Sequence, residues 1–429
     1  GKYTDTGKLH IKYNDETCAY VDMDLLDKGF PSWQFDAVWT PPEMRGMTEP
    51  VISTPSDFSR LLLAMLERPN ICSKEWIIRQ YDHEVQGGSV IKPLVGINND
   101  IPSDASVTRP VLTGTRGLAF SQSLLPWYSK IDAYNMMTCS IDEAVRRLIA
   151  VGGDFEQIGG LDNFCWPNIQ FDERVNPDGK FKAAQLVRAC RALKDTCENY
   201  EIPLLSGKDS MYVDGHLEGE FGERTKVSAL ETVQISATSV IADITKCQTL
   251  EPKVGGDLVY VLGATANELG GSEYYDMFDK TGLNVPNVDF SKFKVVYKAL
   301  QAAIEKDLPA SCHAVARGGI GVHLAYMTLA GGLGMEICLA DLLTDDSRGN
   351  VDASACLFSE SAGRFIVTVP KENQAVFEKM LSGMAVCCIG TVTDAHDSLK
   401  ISGIKGEDLI DLTMTQLSTA FNKAFGEMI

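Results

Sequence analysis

Ile158-Gly159-Gly160-Leu161-Asp162-Asn163, an amphipathic stretch over about 181–199, and Ile202-Pro203-Leu204-Leu205-Ser206-Gly207-Lys208-Asp209-Ser210 together decide the fold class. The first run is strand-like and ends on a polar pair. In the second, Ala183, Leu186, Val187, Cys190, Leu193 and Cys197 share one helical face. The third is apolar and then polar. Strand, polar turn, helix, strand, polar turn is a βαβ-like crossover. It predicts that Asp162 and a Gly207 loop meet at strand ends, where α/β proteins commonly bind ligands.

Working outward, Ser140 and Glu143 match an S-x-x-E capping box and predict a helix over about 140–151, closed by Gly152-Gly153. Ser56 to Leu66 also repeats at helical spacing. Further on, Asp257 to Leu262 reads as a strand covered on both faces. A helix over about 319–330, a strand over 363–369, a helix over Glu372–Met384 and a strand over Ala385–Ile389 follow. This alternation gives an α/β (α+β) class. Upstream, Leu9–Tyr13 and Thr17–Val21 read as two short strands that cannot close a core alone. Residues 43–55 have linker composition.

A chain of 429 residues suggests two or three domains. No run of 18 apolar residues occurs, so no membrane span is expected. The net charge of −19 argues against an extended nucleic-acid surface. Twelve Cys without a framework in their spacing read as reduced thiols of a cytosolic protein. The N-terminus is no signal peptide and lacks Met, which suggests either a start partway through a longer protein or the removal of a tag.

Gly207-Lys208-Asp209-Ser210 is the best local candidate for chemistry. Glycine lets backbone N–H groups approach a phosphate, lysine supplies charge, and aspartate can hold Mg²⁺. A plain polar turn explains it as well. Asp162-Asn163 reads equally as an Asx-turn or a ligand contact. His83 and His313 each read more readily as structural than catalytic, and no zinc spacing or nucleophile elbow occurs.

Five stretches resemble the phosphoribosylformylglycinamidine synthase family. They are Arg79 to Gly88, Gly160 to Trp166, Pro203 to Met211, Asn267 to Tyr274 and Leu357 to Ser361, in that family's order. The resemblance implies two N-domain plus C-domain units of the aminoimidazole ribonucleotide synthetase kind, with N-domain sheets pairing. Residues 1–45 would end a first C-domain and 46–79 form a linker with a helix. Residues 80–250 would be the second N-domain, and 251–429 the second C-domain. The first N-domain, with the family's catalytic His, and any glutaminase domain would lie outside this chain. The implied reaction is ATP-dependent amidine formation on formylglycinamide ribonucleotide with glutamine-derived ammonia.

By the same resemblance Asp162, Gly207 and Lys208 would contact ATP, Ser210 the substrate, and Asp209 Mg²⁺. A second, auxiliary nucleotide site would be degenerate here. Where the family often has His-Asp-x-Ser-Asp-Gly-Gly, this chain has His313-Ala314-Val315-Ala316-Arg317-Gly318-Gly319. Glu143, Arg147, His313, Arg317, Glu360 and Ser361 are what remains of it, and the site would either be empty or have Arg147 and Arg317 in place of the metal charge. The expected partners are the first half of the synthetase, a glutaminase domain or subunit, and the ribonucleotide substrate, with no nucleic acid and no membrane. A rival reading makes the chain alone a non-catalytic module that forms a homodimer through an apolar sheet face.

Overall fold

The structure is a computed structural model, and it describes residues 1–30, 32–82, 84–395 and 398–426. His83 therefore lies outside the described residues.

Two sheets organise the chain. The first is six-stranded, in the order Ser89–Ile91, Ser106–Thr108, Gly117–Leu124, Thr232–Ile241, Ile158–Cys165, Leu204–Ser210. Its pairs are antiparallel except the last, which is parallel, as a crossover requires. The crossover is the helix Gly179–Tyr200, which packs beside the helix Ala133–Ala150. Along Gly117–Leu124 and Thr232–Ile241 burial alternates strictly, so one face carries a core and the other stays open.

The second sheet is seven-stranded. Its order is Ser311–Ala314, Phe365–Val369, Leu258–Leu262, Val386–Ala395, Leu333–Cys338, Leu399–Ser402, Asp408–Leu412. Ser311–Ala314 and Phe365–Val369 are buried at every position, because helices close both faces. The helix Gly319–Gly331 is buried almost all round and contacts Ala353–Phe358 and Met414–Lys423.

The segment between the N-terminal hairpin and the first sheet clamps both units. Arg45 donates to the carbonyls of Lys130 (3.0 Å) and Ile131 (2.6 Å) and lies over the Phe181 ring. Glu49 accepts from Tyr275 Oη (2.7 Å) and from the amides of Leu283 (2.6 Å) and Asn284 (3.1 Å). The helix Phe58–Leu66, capped by Asp57, then packs on the second unit. In contrast, the hairpin Lys8–Tyr13 with Glu16–Asp22 has no buried residue.

Three expectations are corrected. Gly207-Lys208-Asp209-Ser210 is not a loop but the end of an edge strand, and Asp162-Asn163 lies inside a strand. An edge strand has solvent on its open side, so polar residues cost little there. The helix expected from 140 starts at Ala133, where Asp132 accepts from the Tyr134 amide. Ser140 sits in its middle and donates to the Met136 carbonyl, and Glu143 pairs with Arg147 instead of capping. The helix expected over 372–384 is confined to Gln374–Met380, and the strand after it runs on to Ala395.

Where the two units meet, Asp142 and Arg146 form a fully buried pair, with Arg146 Nε 2.7 Å from Asp142 Oδ2. Tyr200 and Tyr297 both donate to Asp142 Oδ1, at 2.7 and 2.6 Å. Asp142→Ala would leave the guanidinium uncompensated. It is expected to destabilise the chain by about 3–5 kcal/mol in urea unfolding, the cost of breaking a buried pair.

Candidate functional site

At the edge of the first sheet the parallel register sets Asp162 opposite Gly207, Asn163 opposite Lys208, Phe164 opposite Asp209 and Cys165 opposite Ser210. Alternation therefore divides the residues between two faces. Asp162, Gly207 and Asp209 share the helix side. Lys208 and Ser210, hydrogen-bonded to each other, share the open side. Gly207 lies close against Asp162: a Cβ there would be 3.3 Å from both carboxylate oxygens, so a side chain would push the carboxylate aside by a few tenths of an ångström. Burial, reinforced by the Asp209 charge, raises the Asp162 pKa above the ordinary carboxylate value. This edge presents two neighbouring carboxylates on bare backbone. Mg²⁺ commonly takes one or two carboxylates and completes its shell with phosphate and water. The pair fits that need.

The six residues of the expected auxiliary site lie between the two units, in two groups. In one, Glu360 Oε1 accepts from the amides of Glu273 and Gly318 (both 2.9 Å), and Oε2 from Tyr128 Oη (2.6 Å). Arg317 donates from Nε and Nη2 to Glu273 Oε1, at 2.9 and 2.5 Å. Arg68 Nε reaches Glu273 Oε2 at 2.5 Å, and Asn70 reaches Oε1 at 2.7 Å. Burial, the largest single influence, would raise the Glu273 pKa, but Arg317, Arg68 and Asn70 together outweigh it and hold the carboxyl below its ordinary value. Burial raises that of Glu360, with Arg317 opposing. Ser361 Oγ accepts from the Ala266 amide (3.1 Å) and contacts Ser359 Oγ (2.9 Å).

In the other group, His313 Nδ1 is 2.8 Å from Asp104 Oδ2 and His323 Nδ1 is 2.7 Å from His313 Nε2. The Ala316 amide donates to His323 Nε2 at 2.9 Å. An amide can only donate, so His323 carries its proton on Nδ1 and passes a hydrogen bond to His313, which passes one to Asp104. Both rings are neutral in this chain. Glu143 and Arg147 pair on the adjoining helix, and Arg147 helps depress His323. Most of the polar groups of the two clusters are already engaged, the exception being Arg317 Nη1, which is buried without a hydrogen-bond partner among the described residues. Among the described residues, no three His, Cys, Asp or Glu side chains are placed to hold a metal ion.

Residues 255–401 match the model of the AIR synthase related protein, C-terminal domain. The chain is 31% identical to the phosphoribosylformylglycinamidine synthase subunit PurL of Methanocaldococcus jannaschii, over all of this chain and 54% of that protein. It is 30% identical to the PurL subunit of Methanococcus aeolicus, again over all of this chain and 54% of the relative. The chain is a relative of the PurL subunits. It spans about half the length of the PurL proteins it matches. The Thermotoga maritima PurL structure complexed with FGAR matches at TM-score 0.61 and 14% identity, covering 88% of this chain and 55% of that one. At that identity the PurL likeness concerns the fold, which is the AIR synthase-like α/β arrangement expected from sequence.

Sequence reading missed Glu273, Glu268, Asp104 and Tyr128 as polar anchors. Glu268 and Glu273 stood in the Asn267–Tyr274 stretch, and their signal was a pair of carboxylates in a segment whose neighbours are buried. Asp104 and Tyr128 carried no local signal, because their partners lie 209 and 232 positions away.

Burial, then the neighbouring His313, lowers the His323 pKa well below 6.5. The folded state keeps this ring neutral, so its contribution is complete above the unfolded value and is lost as pH falls below it, by about 1.4 kcal/mol per pH unit. Urea unfolding from pH 8 to 5 should show the stability difference between wild type and His323→Gln narrowing by that amount below pH about 6. A pH-independent difference would contradict the neutral assignment.

Proposed function

We propose that this chain is the second half of an ATP-dependent ligase of purine synthesis. The ligase joins ammonia from glutamine to formylglycinamide ribonucleotide, giving formylglycinamidine ribonucleotide. The observation that carries the reading is the edge formed by Asp162, Gly207 and Asp209, two carboxylates beside bare backbone in a relative of PurL. Structures of Thermotoga maritima PurL complexed with ATP and with AMPPCP are among the fold's neighbours, which supports a nucleotide as ligand. In this reading Asp209, with Asp162 beside it, would hold Mg²⁺, and the ion would neutralise phosphate charge. Gly207 and Lys208 would contact the nucleotide and Ser210 the ribonucleotide substrate. Leu204–Asp209 is exposed at every position, so ligand groups can reach the strand on its helix side and on its open side.

The domain reading belongs to the same proposal: 1–45 as the tail of a preceding C-domain, 46–79 as linker, 80–250 and 251–429 as the second N- and C-domains. So do the partners. These are the first half of the synthetase, and a glutaminase domain or subunit, for which the Thermotoga maritima structure named PurLQS offers a parallel. A cytoplasmic place follows from the pathway. No helix among the described residues is long and apolar enough to cross a membrane.

A second reading concerns the chain in isolation. The open face of the first sheet exposes Phe120, Leu124 and Leu205, at 47, 48 and 65%. Such a face calls for a covering surface. Without the first half, two copies would cover each other and the chain would be an inactive module. Sedimentation should then give a concentration-dependent mass, abolished by Phe120→Glu.

The nucleotide site is tested by calorimetric titration of the chain with Mg²⁺ and ATP. Asp209→Ala and Asp162→Asn are each expected to weaken binding at least about tenfold, the loss of one charged contact. Equal binding by wild type and both variants would overturn the assignment.

A further inference from the structure

A cavity of about 610 Å³ opens at one end of the seven-stranded sheet, and no residue of the Asp162–Asp209 edge lines it. Loops at 263–266, 345–348, 361–363 and 383–385 and the start of the helix Phe290–Glu305 surround it. Its size is that of a small-molecule site. We propose that this cavity binds a sugar monophosphate, either a ribosyl phosphate or a nucleoside monophosphate, at a site separate from the ATP site.

Three features of the wall set the ligand's chemistry. Arg348 uses only Nη1 within the protein, on Glu268 Oε1 (3.1 Å) and the Val285 carbonyl (3.0 Å). Its Nε and Nη2 make no bond among the described residues, and the side chain is 32% exposed. A guanidinium tethered at one nitrogen, with its other edge free, suits a phosphate oxygen pair. In the same lining, the amides of Ala362 and Gly363 also make no hydrogen bond among the described residues. These are donors for one anion.

Carboxylates bound the charge of that anion. Glu268, Asp289 and Asp345 line the cavity with only Lys292 and Arg348 opposing them. Three carboxylates disfavour a polyanion such as a triphosphate, while offering acceptors to sugar hydroxyls. The remaining lining mixes Asn287 and three serines with an apolar part. Phe293, Val296 and Met384 stand over a floor of small residues. Gly363 keeps that floor low: its φ is +72°, and a Cβ there would lie 2.5 Å from the Phe293 ring. An uncharged ring or amide carried on the sugar would lie against this wall.

The test titrates ribose 5-phosphate, AMP and ATP into the full chain, followed by calorimetry and by ligand-observed NMR. Ribose 5-phosphate and AMP are expected to bind, with ATP at least tenfold weaker at this site. Arg348→Gln should weaken both monophosphates at least tenfold. Because Arg348 also holds Glu268, Ala264→Phe provides a second variant, which fills the half-buried Ala264 position on the wall without removing charge. It should abolish binding while the thermal midpoint stays within a few degrees. Asp209→Ala should leave ribose 5-phosphate binding unchanged, which separates this site from the edge proposed for ATP. No binding of either monophosphate at 10 mM would overturn the proposal. Ribose 5-phosphate binding that survives both Arg348→Gln and Ala264→Phe, or that disappears in Asp209→Ala, would overturn it as well.

Discussion

The buried carboxylate of Glu273 is the point on which the arrangement of this molecule depends. It is fully excluded from solvent, yet it is ionised, because Arg317, Arg68 and Asn70 converge on it. These partners come from different places: Arg317 from the loop before the helix Gly319–Gly331, Arg68 and Asn70 from the segment after the helix Phe58–Leu66. Its own amide donates to Glu360, and Glu360 in turn takes the hydroxyl of Tyr128 from the first unit. A charge that cannot reach water must find its partners inside the protein. Satisfying this one fixes the linker and both sheets in a single geometry.

The same cluster explains what became of the second site that the resemblance implied. Its histidine donates to Asp104, its glutamate is saturated by two amides and a phenol, and its arginine is spent on Glu273. A guanidinium brings a fixed positive charge with directional bonds, where a bound cation would bring an exchangeable one. The junction is thus held by side chains, and the Asp162–Asp209 edge, whose strand is exposed from Leu204 to Asp209, is the part proposed to bind nucleotide.

Much of the fold was legible in the sequence. Leu258–Leu262 showed its continuous apolar run, where sequence and burial agree. The helix Gly179–Tyr200 was legible in extent but not in face: of the six apolar residues read as its buried side only Ala183 is buried, Val187 and Cys190 are exposed, and the core is met instead by Lys182, Gln185, Ala189, Ala192 and Thr196. The pairing of Asp162 with Gly207 also followed from the crossover. The nature of that pairing did not. Polar residues in a run suggest a turn, but here a sheet edge tolerates them, and the strand continues to Ser210. The Ser140–Glu143 pattern misled for the opposite reason: the helix had already begun seven residues earlier, at Ala133. The junction was the least legible part, since its bonds link residues more than 200 positions apart and leave no local period.

The central claim is that this chain carries half of a synthetase and cannot turn over alone. Phosphate release with formylglycinamide ribonucleotide, ATP, Mg²⁺ and ammonium tests it most directly, first with the chain alone and then with the first half of a PurL relative added in trans. The account predicts no turnover alone and turnover on mixing, lost again in Asp209→Ala. Turnover by the chain alone would contradict it.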